Sequence, residues 1–308
     1  MAPRRIFVTG ATGNVGSAVC RELLRRGDEV TALSRRRRSD IAATRVVIAD
    51  LTRITDVSAH VIRADAIIHC ASPRTESRRG ALREDIAGTA ELLDLWQTGN
   101  FVLTSSQTVY GVPNKVLCES DPPVSSSWYD VAKVCNEQTV QMSAHVGQRG
   151  AGVSLRLPLI FAAGPRRRDR QFLPSVHDAL RAGRTFLFKS DAALESAGSV
   201  FIGENDVGRA LAEALTLRQS GPYNVAGGFC TWRELLNELG RQTKLQPKIL
   251  LRADARPGPD EFRLPQSRSD YDCGRFCSVT GFAPSESLED LVARFLRAEQ
   301  NERRDGRV

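Results

Sequence analysis

"VTGATGNVGSAV", residues 8–19, carries three glycines, Gly10, Gly13 and Gly16, directly behind the apolar run Ile6-Phe7-Val8. Glycines at this spacing let a chain turn sharply out of a strand and bring backbone N–H groups close to a pyrophosphate. Behind the turn, Val15, Val19, Leu23 and Leu24 recur at helical spacing and Gly27 ends the run, so a helix is predicted over Val15–Arg26. That helix would aim the positive end of its dipole at a bound phosphate. Strand before and helix after is the context that separates a dinucleotide loop from an ordinary tight turn. Gly10, Thr12, Gly13, Asn14, Val15 and Gly16 are therefore candidate cofactor contacts. The spacing is G-x-x-G-x-x-G, not the G-x-G-x-x-G of the common dehydrogenase loop.

Strand-like and helix-like segments alternate outward from this loop. Strands are predicted at Arg5–Thr9, Glu29–Leu33, Arg45–Ile48, Ala66–Cys70, Asn100–Thr104 and Val153–Leu157. Helices are predicted at Leu82–Gln97 and Trp128–His145. This alternation predicts an α/β fold with a doubly wound parallel sheet. Beyond residue 158 the pattern breaks into shorter, Pro- and Arg-rich pieces. Helical segments at Phe172–Ala182, Asp206–Leu217, Trp232–Thr243 and Leu288–Glu299 suggest a smaller lobe. The organisation read from this is a dinucleotide-binding domain over 1–157, a substrate-binding lobe over 158–300 with strands free to interleave, and a frayed polar tail over 301–308.

Composition narrows the function classes. The chain has 308 residues, 41% of them hydrophobic, which suffices for one large core or two joined ones. No apolar run reaches the ~18 residues of a membrane span, and MAPRR leads straight into a strand-like segment without an apolar signal region. Seven scattered cysteines suit reduced thiols in the cytoplasm better than a disulfide framework, and they offer no four-ligand zinc set. The net charge of +7 gathers in two arginine runs, Arg35–Arg38 and Arg166–Arg168 with Arg170. Such clusters draw anionic ligands. Few aromatics interleave with them, which argues against nucleic acid as the partner.

The predicted second strand runs into "TALSRRRR". A carboxylate at this place would accept hydrogen bonds from the free ribose hydroxyls of NAD, whereas Ser34 and Arg35 would welcome a 2′-phosphate. NADP is therefore expected ahead of NAD. Further along, "TSSQTVYG" (104–111) follows the fifth strand and "YDVAK" (129–133) opens a helix, with Tyr129 and Lys133 one turn apart on one face. An ammonium beside a phenol favours the phenolate, so a tyrosine so placed could exchange a proton while a cofactor carries the hydride. A serine from the strand end could hold the substrate oxygen.

These motifs, together with "ADL" (49–51), "IIHCAS" (67–72), "GTAELLDL" (88–95), "LRLPLIF" (155–161) and "GPYNVAGG" (221–228), resemble the extended short-chain dehydrogenases/reductases over nearly the whole chain. That family includes NAD(P)-dependent sugar epimerases and dehydratases. The resemblance implies a Rossmann sheet, Tyr129 as acid/base, Lys133 as the ribose-binding residue, and Ser106 as the substrate-oxygen ligand. It places Asp50 and Leu51 by the adenine, Ala71, Ser72 and Thr104 by the middle of the cofactor, and Pro158 and Ile160 by the nicotinamide. It also implies dimers built on the helices at Leu82–Gln97 and Trp128–His145. Leu92, Leu93, Leu95, Trp96, Val131, Val134, Val140 and Met142 would then meet the partner, unless all of them pack inward.

Departures from the family pattern bear on the substrate. Gln107 and Thr108 stand where dehydratases carry an Asp-Glu pair, which speaks against dehydration. Leu159 and Ser199 replace an asparagine and an arginine that contact a diphosphate in sugar-nucleotide epimerases, while Arg256 matches the remaining diphosphate-binding arginine. The expected activity is reduction of a ketone, a 4-keto sugar nucleotide or a natural-product ketone, by NADPH. The alternatives are a nucleotide-sugar epimerase with tightly held NAD(P) and, from another class, a non-catalytic NADPH-sensing scaffold.

Overall fold

A computed structural model describes residues 3–73, 77–112, 115–162, 172–253 and 257–304. Arg256 and the run Arg166–Arg168 with Arg170 lie outside the described residues.

The strands are β1 (Arg5–Thr9), β2 (Glu29–Ser34), β3 (Arg45–Ile48), β4 (Ala66–His69), β5 (Phe101–Ser106), β6 (Gly152–Leu157), β7 (Leu159–Phe161), β8 (Thr185–Phe188), β9 (Gly198–Gly203), β10 (Gly221–Asn224), β11 (Gly228–Thr231), β12 (Lys248–Leu251), β13 (Glu261–Arg263) and β14 (Arg268–Ser269). The helices are α1 (Asn14–Arg25), α2 (Ser58–Ile62), α3 (Arg78–Gly80), α4 (Ala87–Asp94), α5 (Trp128–Gly147), α6 (Phe172–Arg181), α7 (Asp191–Ser196), α8 (Glu204–Ala214), α9 (Trp232–Thr243), α10 (Gly274–Thr280) and α11 (Leu288–Arg304).

Seven parallel strands form the main sheet in the order β10-β6-β5-β4-β1-β2-β3. Strands covered on both faces read as near-continuous apolar runs, as "IFV" and "AII" do here. The pleat divides them cleanly: Ile6 and Val8 face the layer of α1 and α8, while Phe7 faces the layer holding Leu92, Trp96 and Val140. The chain leaves β1 toward β3 on one side and β4 toward β10 on the other. The order therefore switches between β1 and β4, and a ligand crevice opens beyond their carboxyl ends.

β10 falls in the later part of the chain yet pairs with β6, and Tyr223 and Val225 join the core of the main sheet. The smaller lobe contains the sheets β11-β9-β14, with β7 on β9, and β12-β8-β13. Phe161, Phe186, Phe188, Trp232 and Phe295 fill its core. On its flank, buried His177 Nδ1 of α6 stands 2.8 Å from the Glu299 carboxylate of α11.

Two segments depart from the sequence expectation. The helix expected over Leu82–Gln97 is a π-type stretch, Ala81–Ile86, that continues into α4. The last helix runs past Glu299 to Arg304, with Glu302 buried, so residues 301–304 continue the helix. Of the eight side chains proposed for a dimer face, Leu92, Leu93, Trp96 and Val140 are buried within the chain's own core, Leu95, Val131 and Val134 are half-buried, and Met142 is exposed. One sheet face needs the four buried ones.

Arg156 on β6 is buried and forms a two-pronged pair with Glu137 of α5, at 2.7 and 3.0 Å. Burial works against the guanidinium charge, yet Glu137 and the Tyr110 hydroxyl hold Arg156 more firmly protonated than usual. Removing one member of a buried pair strands the other charge. Glu137→Ala should therefore lower the unfolding free energy by about 3–5 kcal/mol, read by urea denaturation. An unchanged midpoint would show that the pair does not anchor α5 to the sheet.

Candidate active site

The glycine loop joins the end of β1 to α1. Gly10 has φ +68, and a methyl group added there would lie 2.6 Å from the backbone of Cys70 and Ala71. A methyl at Gly16 would lie 2.2 Å from the Gly10 carbonyl oxygen. Both positions therefore need glycine, one for its backbone angle and one for close approach. Gly13 N–H donates to the Gly10 carbonyl at 2.9 Å, which closes the turn. Gly13 caps α1 without a side-chain hydrogen bond, and no acidic residue occupies the first turn. The helix N-terminus thus keeps the donors and positive potential that suit a phosphate, so the loop fits a dinucleotide.

Ser34 ends β2, but its hydroxyl turns into its own loop. It donates to the Arg36 carbonyl at 2.7 Å and is nearly inaccessible. Arg35 is exposed, whereas Arg38 is paired with Asp40. Asp50 caps the following 3-10 turn by accepting from the Thr52 N–H and hydroxyl at 3.0 and 2.9 Å. Leu51 lies against Gly88.

Beyond β4, Ala71 N–H donates to Thr9 Oγ1 at 3.1 Å, and Ser72 donates to Asp85 Oδ2 at 2.6 Å. Thr104 Oγ1 donates to the His69 carbonyl. His69 itself is buried between Thr9 and Thr89, at 2.6 and 3.0 Å. The Thr89 proton goes to the Asp85 carbonyl, which leaves Thr89 Oγ1 to accept from His69 Nε2–H and Nδ1 to accept from Thr9. Burial, helped by the nearby Lys133 charge, holds His69 down to about 4. The imidazole is therefore neutral at physiological pH.

Tyr129 and Lys133 share a face of α5. Tyr129 is half-buried, and Lys133 Nζ lies 5.5 Å from the centre of its ring. Lys133 is almost wholly enclosed, with Asp85 Oδ2 3.7 Å away. Ser106 reaches the same helix indirectly. Its hydroxyl is 2.9 Å from Thr108 Oγ1, which donates to Asp130 at 2.6 Å. Because the Thr108 proton is committed to Asp130, the Ser106 proton points to Thr108. Asp130, beside Tyr129 in the chain, also accepts from Ser126 and Ser127. The strand-end serine and the first turn of α5 are thus locked together.

Pro158 and Ile160 are partly exposed at the start of the smaller lobe. Leu159 is partly buried, and the Ser199 hydroxyl is spent on the Val200 carbonyl at 3.1 Å. Gln107 is buried against Val225. Asp85, Asn136 and Asp130 are residues that sequence reasoning did not single out, and it named Thr108 only as a departure from the dehydratase pair. Asn136 sits one turn beyond Lys133 and donates to Asp85 at 2.8 Å, a spacing legible in the sequence. An acid inside the segment "REDIAG" gave no comparable signal.

A doubly wound parallel sheet with an uncapped glycine turn at its switch point, and a Tyr/Lys helix beside it, is a Rossmann fold. Residues 6–226 match the NAD dependent epimerase/dehydratase family, and the chain belongs to it. Among curated relatives, UDP-glucuronic acid decarboxylase 1 of Arabidopsis thaliana is 31% identical over 53% of this chain and 40% of its own length. A sterol-4-alpha-carboxylate 3-dehydrogenase, decarboxylating, of Dictyostelium discoideum is 24% identical over 52% of this chain and 54% of its own. The matched region thus spans about half the length of these relatives or less. Among solved structures, MoeE5 in complex with UDP-glucuronic acid and NAD superposes with a TM-score of 0.79, 23% identity and 97% and 99% coverage of the two chains. UDP-glucose-4-epimerase from Stenotrophomonas maltophila gives 0.80, 20%, and 98% and 99%. At these identities the likeness is one of fold.

Proposed function

We propose that the protein is an NADPH-dependent reductase of a ketone, with a 4-keto sugar nucleotide or a natural-product ketone as substrate. The observation that carries this reading is Lys133, enclosed beneath the Tyr129 ring while Ser106 is tied to the same helix through Thr108 and Asp130. The uncapped end of α1 would hold the cofactor pyrophosphate, and Gly10 to Gly16 would let it approach. Asp50 and Leu51 would flank the adenine, Ala71, Ser72 and Thr104 the middle of the cofactor, and Pro158 and Ile160 the nicotinamide.

When bound, the reduced nicotinamide supplies a hydride to the carbonyl carbon. With substrate bound, the Ser106 hydroxyl would turn its proton from Thr108 to the carbonyl oxygen and hold that oxygen beside Tyr129. Tyr129 gives its proton to that oxygen as the hydride arrives, so the ketone gains one hydride and one proton and becomes an alcohol. Lys133 offsets the negative charge left on the tyrosine, which then takes a proton from solvent. The half-buried position of Tyr129 suits a group that meets substrate on one side and water on the other.

A nucleotide-sugar epimerase is the second reading. Such an enzyme must hold its keto intermediate between two hydride transfers, and that demands a firm grip on the remote part of the substrate. Leu159 and Ser199 offer little for a diphosphate, since one is apolar and the other's hydroxyl is internally bonded. Arg256 keeps the epimerase reading alive, as do relatives described as UDP-glucuronate 4-epimerase 1 and UDP-glucose-4-epimerase.

The compartment we read is the cytoplasm, with support from seven cysteines that are all free. No described helix is long and apolar enough to cross a membrane.

Mixing protein, ketone and NADPH should consume cofactor one-for-one with alcohol, and Tyr129→Phe should cut turnover at least about 100-fold while NADPH still binds. An alcohol that changes configuration without net cofactor change would establish the epimerase instead. NADPH is expected to bind more tightly than NADH, because β2 ends without a carboxylate and Arg35 is free to meet a 2′-phosphate. Arg35→Ala should erase about 1.5–3 kcal/mol of that preference in a fluorescence titration. Equal binding of the two cofactors by the unaltered protein would remove the charge argument. We also propose a homodimer, supported by exposed Leu82, Met142 and Val146 on the two helical segments expected to pair. Light scattering at micromolar concentration should give twice the chain mass, and a monomer would end this reading.

A further inference from the structure

Lys133 does not stand alone in its pocket. Its ammonium lies 3.7 Å from Asp85 Oδ2, and both side chains are almost fully enclosed, at 2% and 1% exposure. The Asp85 carboxylate also accepts from Ser72 at 2.6 Å and from Asn136 at 2.8 Å. Three donors from two elements therefore converge on one buried carboxylate: Ser72 from the loop after β4, and Lys133 and Asn136 from one face of α5. Polar partners of this kind are what a buried carboxylate requires.

Tyr129 consequently faces a lysine whose charge is already partly answered. An ammonium alone would draw the phenol toward phenolate, while a carboxylate behind that ammonium opposes the change. The other titratable groups around Lys133 leave this balance intact. His69 on β4 is neutral, and burial pushes the Cys70 thiol up, away from thiolate. On α5, Glu137 is committed to Arg156 and Ser105, and Asp130 to Thr108, Ser126 and Ser127.

We propose that Asp85 is a positioning residue that tunes the acid/base group: its buried carboxylate balances Lys133 and so keeps Tyr129 in the proton-donating phenol form that ketone reduction uses. By bonding Ser72 and α5 together it also fixes where Lys133 stands relative to the cofactor loop. The consequence for ketone reduction rests on the reductase reading. The charge balance itself does not, and it can be measured without any substrate.

The experiment is a pH titration of tyrosinate absorbance, with the Tyr129 signal isolated by subtracting the Tyr129→Phe protein. Asp85→Asn keeps the shape and removes the charge. The Tyr129 midpoint should fall by about one pH unit, within the range of one nearby charge. Lys133→Met should raise it, and Lys133→Met with Asp85→Asn should bring it back down. This second comparison also serves if Asp85→Asn alone fails to fold by circular dichroism, since the double variant strands neither buried charge. Equal midpoints with and without Asp85, in either background, would overturn the proposal. With a ketone in hand, the alkaline limb of kcat/KM for Asp85→Asn should move to lower pH by the same amount. A shifted titration without ketone turnover in the unaltered protein would keep the charge balance and remove the reductase reading.

Discussion

At the end of β1, backbone packs directly against backbone. Gly16 on α1 lies so near the Gly10 carbonyl, and Gly10 so near Cys70 and Ala71 after β4, that neither position has room for a side chain. This contact sets the angle at which α1 leaves the sheet. It also brings the uncapped helix N-terminus and the loop after β4 to the same edge of the switch point. The donor-rich end of α1 and the loop after β4 are therefore placed relative to each other by one tight turn.

The other half of the site is held by buried polar groups, each answered by a partner. Arg156 and Glu137 fasten α5 to β6, and Asp85 fastens it to the loop after β4. Thr108 and Asp130 fasten its first turn to the end of β5. Such contacts add little net stability compared with apolar packing, but each is costly to break singly. Their effect here is positional. Tyr129 and Lys133 sit on a helix that is pinned at three places, which is what a proton-transfer group needs in order to meet a carbonyl at a fixed distance.

Much of this was legible in the sequence because it depends on local periodicity. The glycine turn, α1 and the first six strands are written in nearby residues, and Tyr129 and Lys133 declare their shared face by spacing alone. What stayed hidden depends on distant partners. Asp85 gains its meaning only when Ser72, Lys133 and Asn136 converge on it. β10 returns to the main sheet because its register with β6 buries Tyr223, a pairing between residues far apart in sequence. The place of Ser34 at the end of its strand suits a 2′-phosphate, but its hydroxyl donates to the Arg36 carbonyl of its own loop. Leu92, Leu93, Trp96 and Val140 showed only that they are apolar, and that does not distinguish a core from an interface.

The central claim is that Tyr129, Lys133 and Ser106 serve a hydride transfer that ends in a released alcohol. The most direct measurement follows the hydrogen itself, with NADPH deuterated at both hydrogens of the nicotinamide C4 and a candidate ketone in ordinary water. The account predicts one deuterium on the carbinol carbon of every product molecule, an exchangeable proton on its oxygen, and an equal amount of oxidised cofactor. Alcohol supplied in place of the ketone and recovered inverted, with its original hydrogen on carbon and no net change of cofactor, would contradict it.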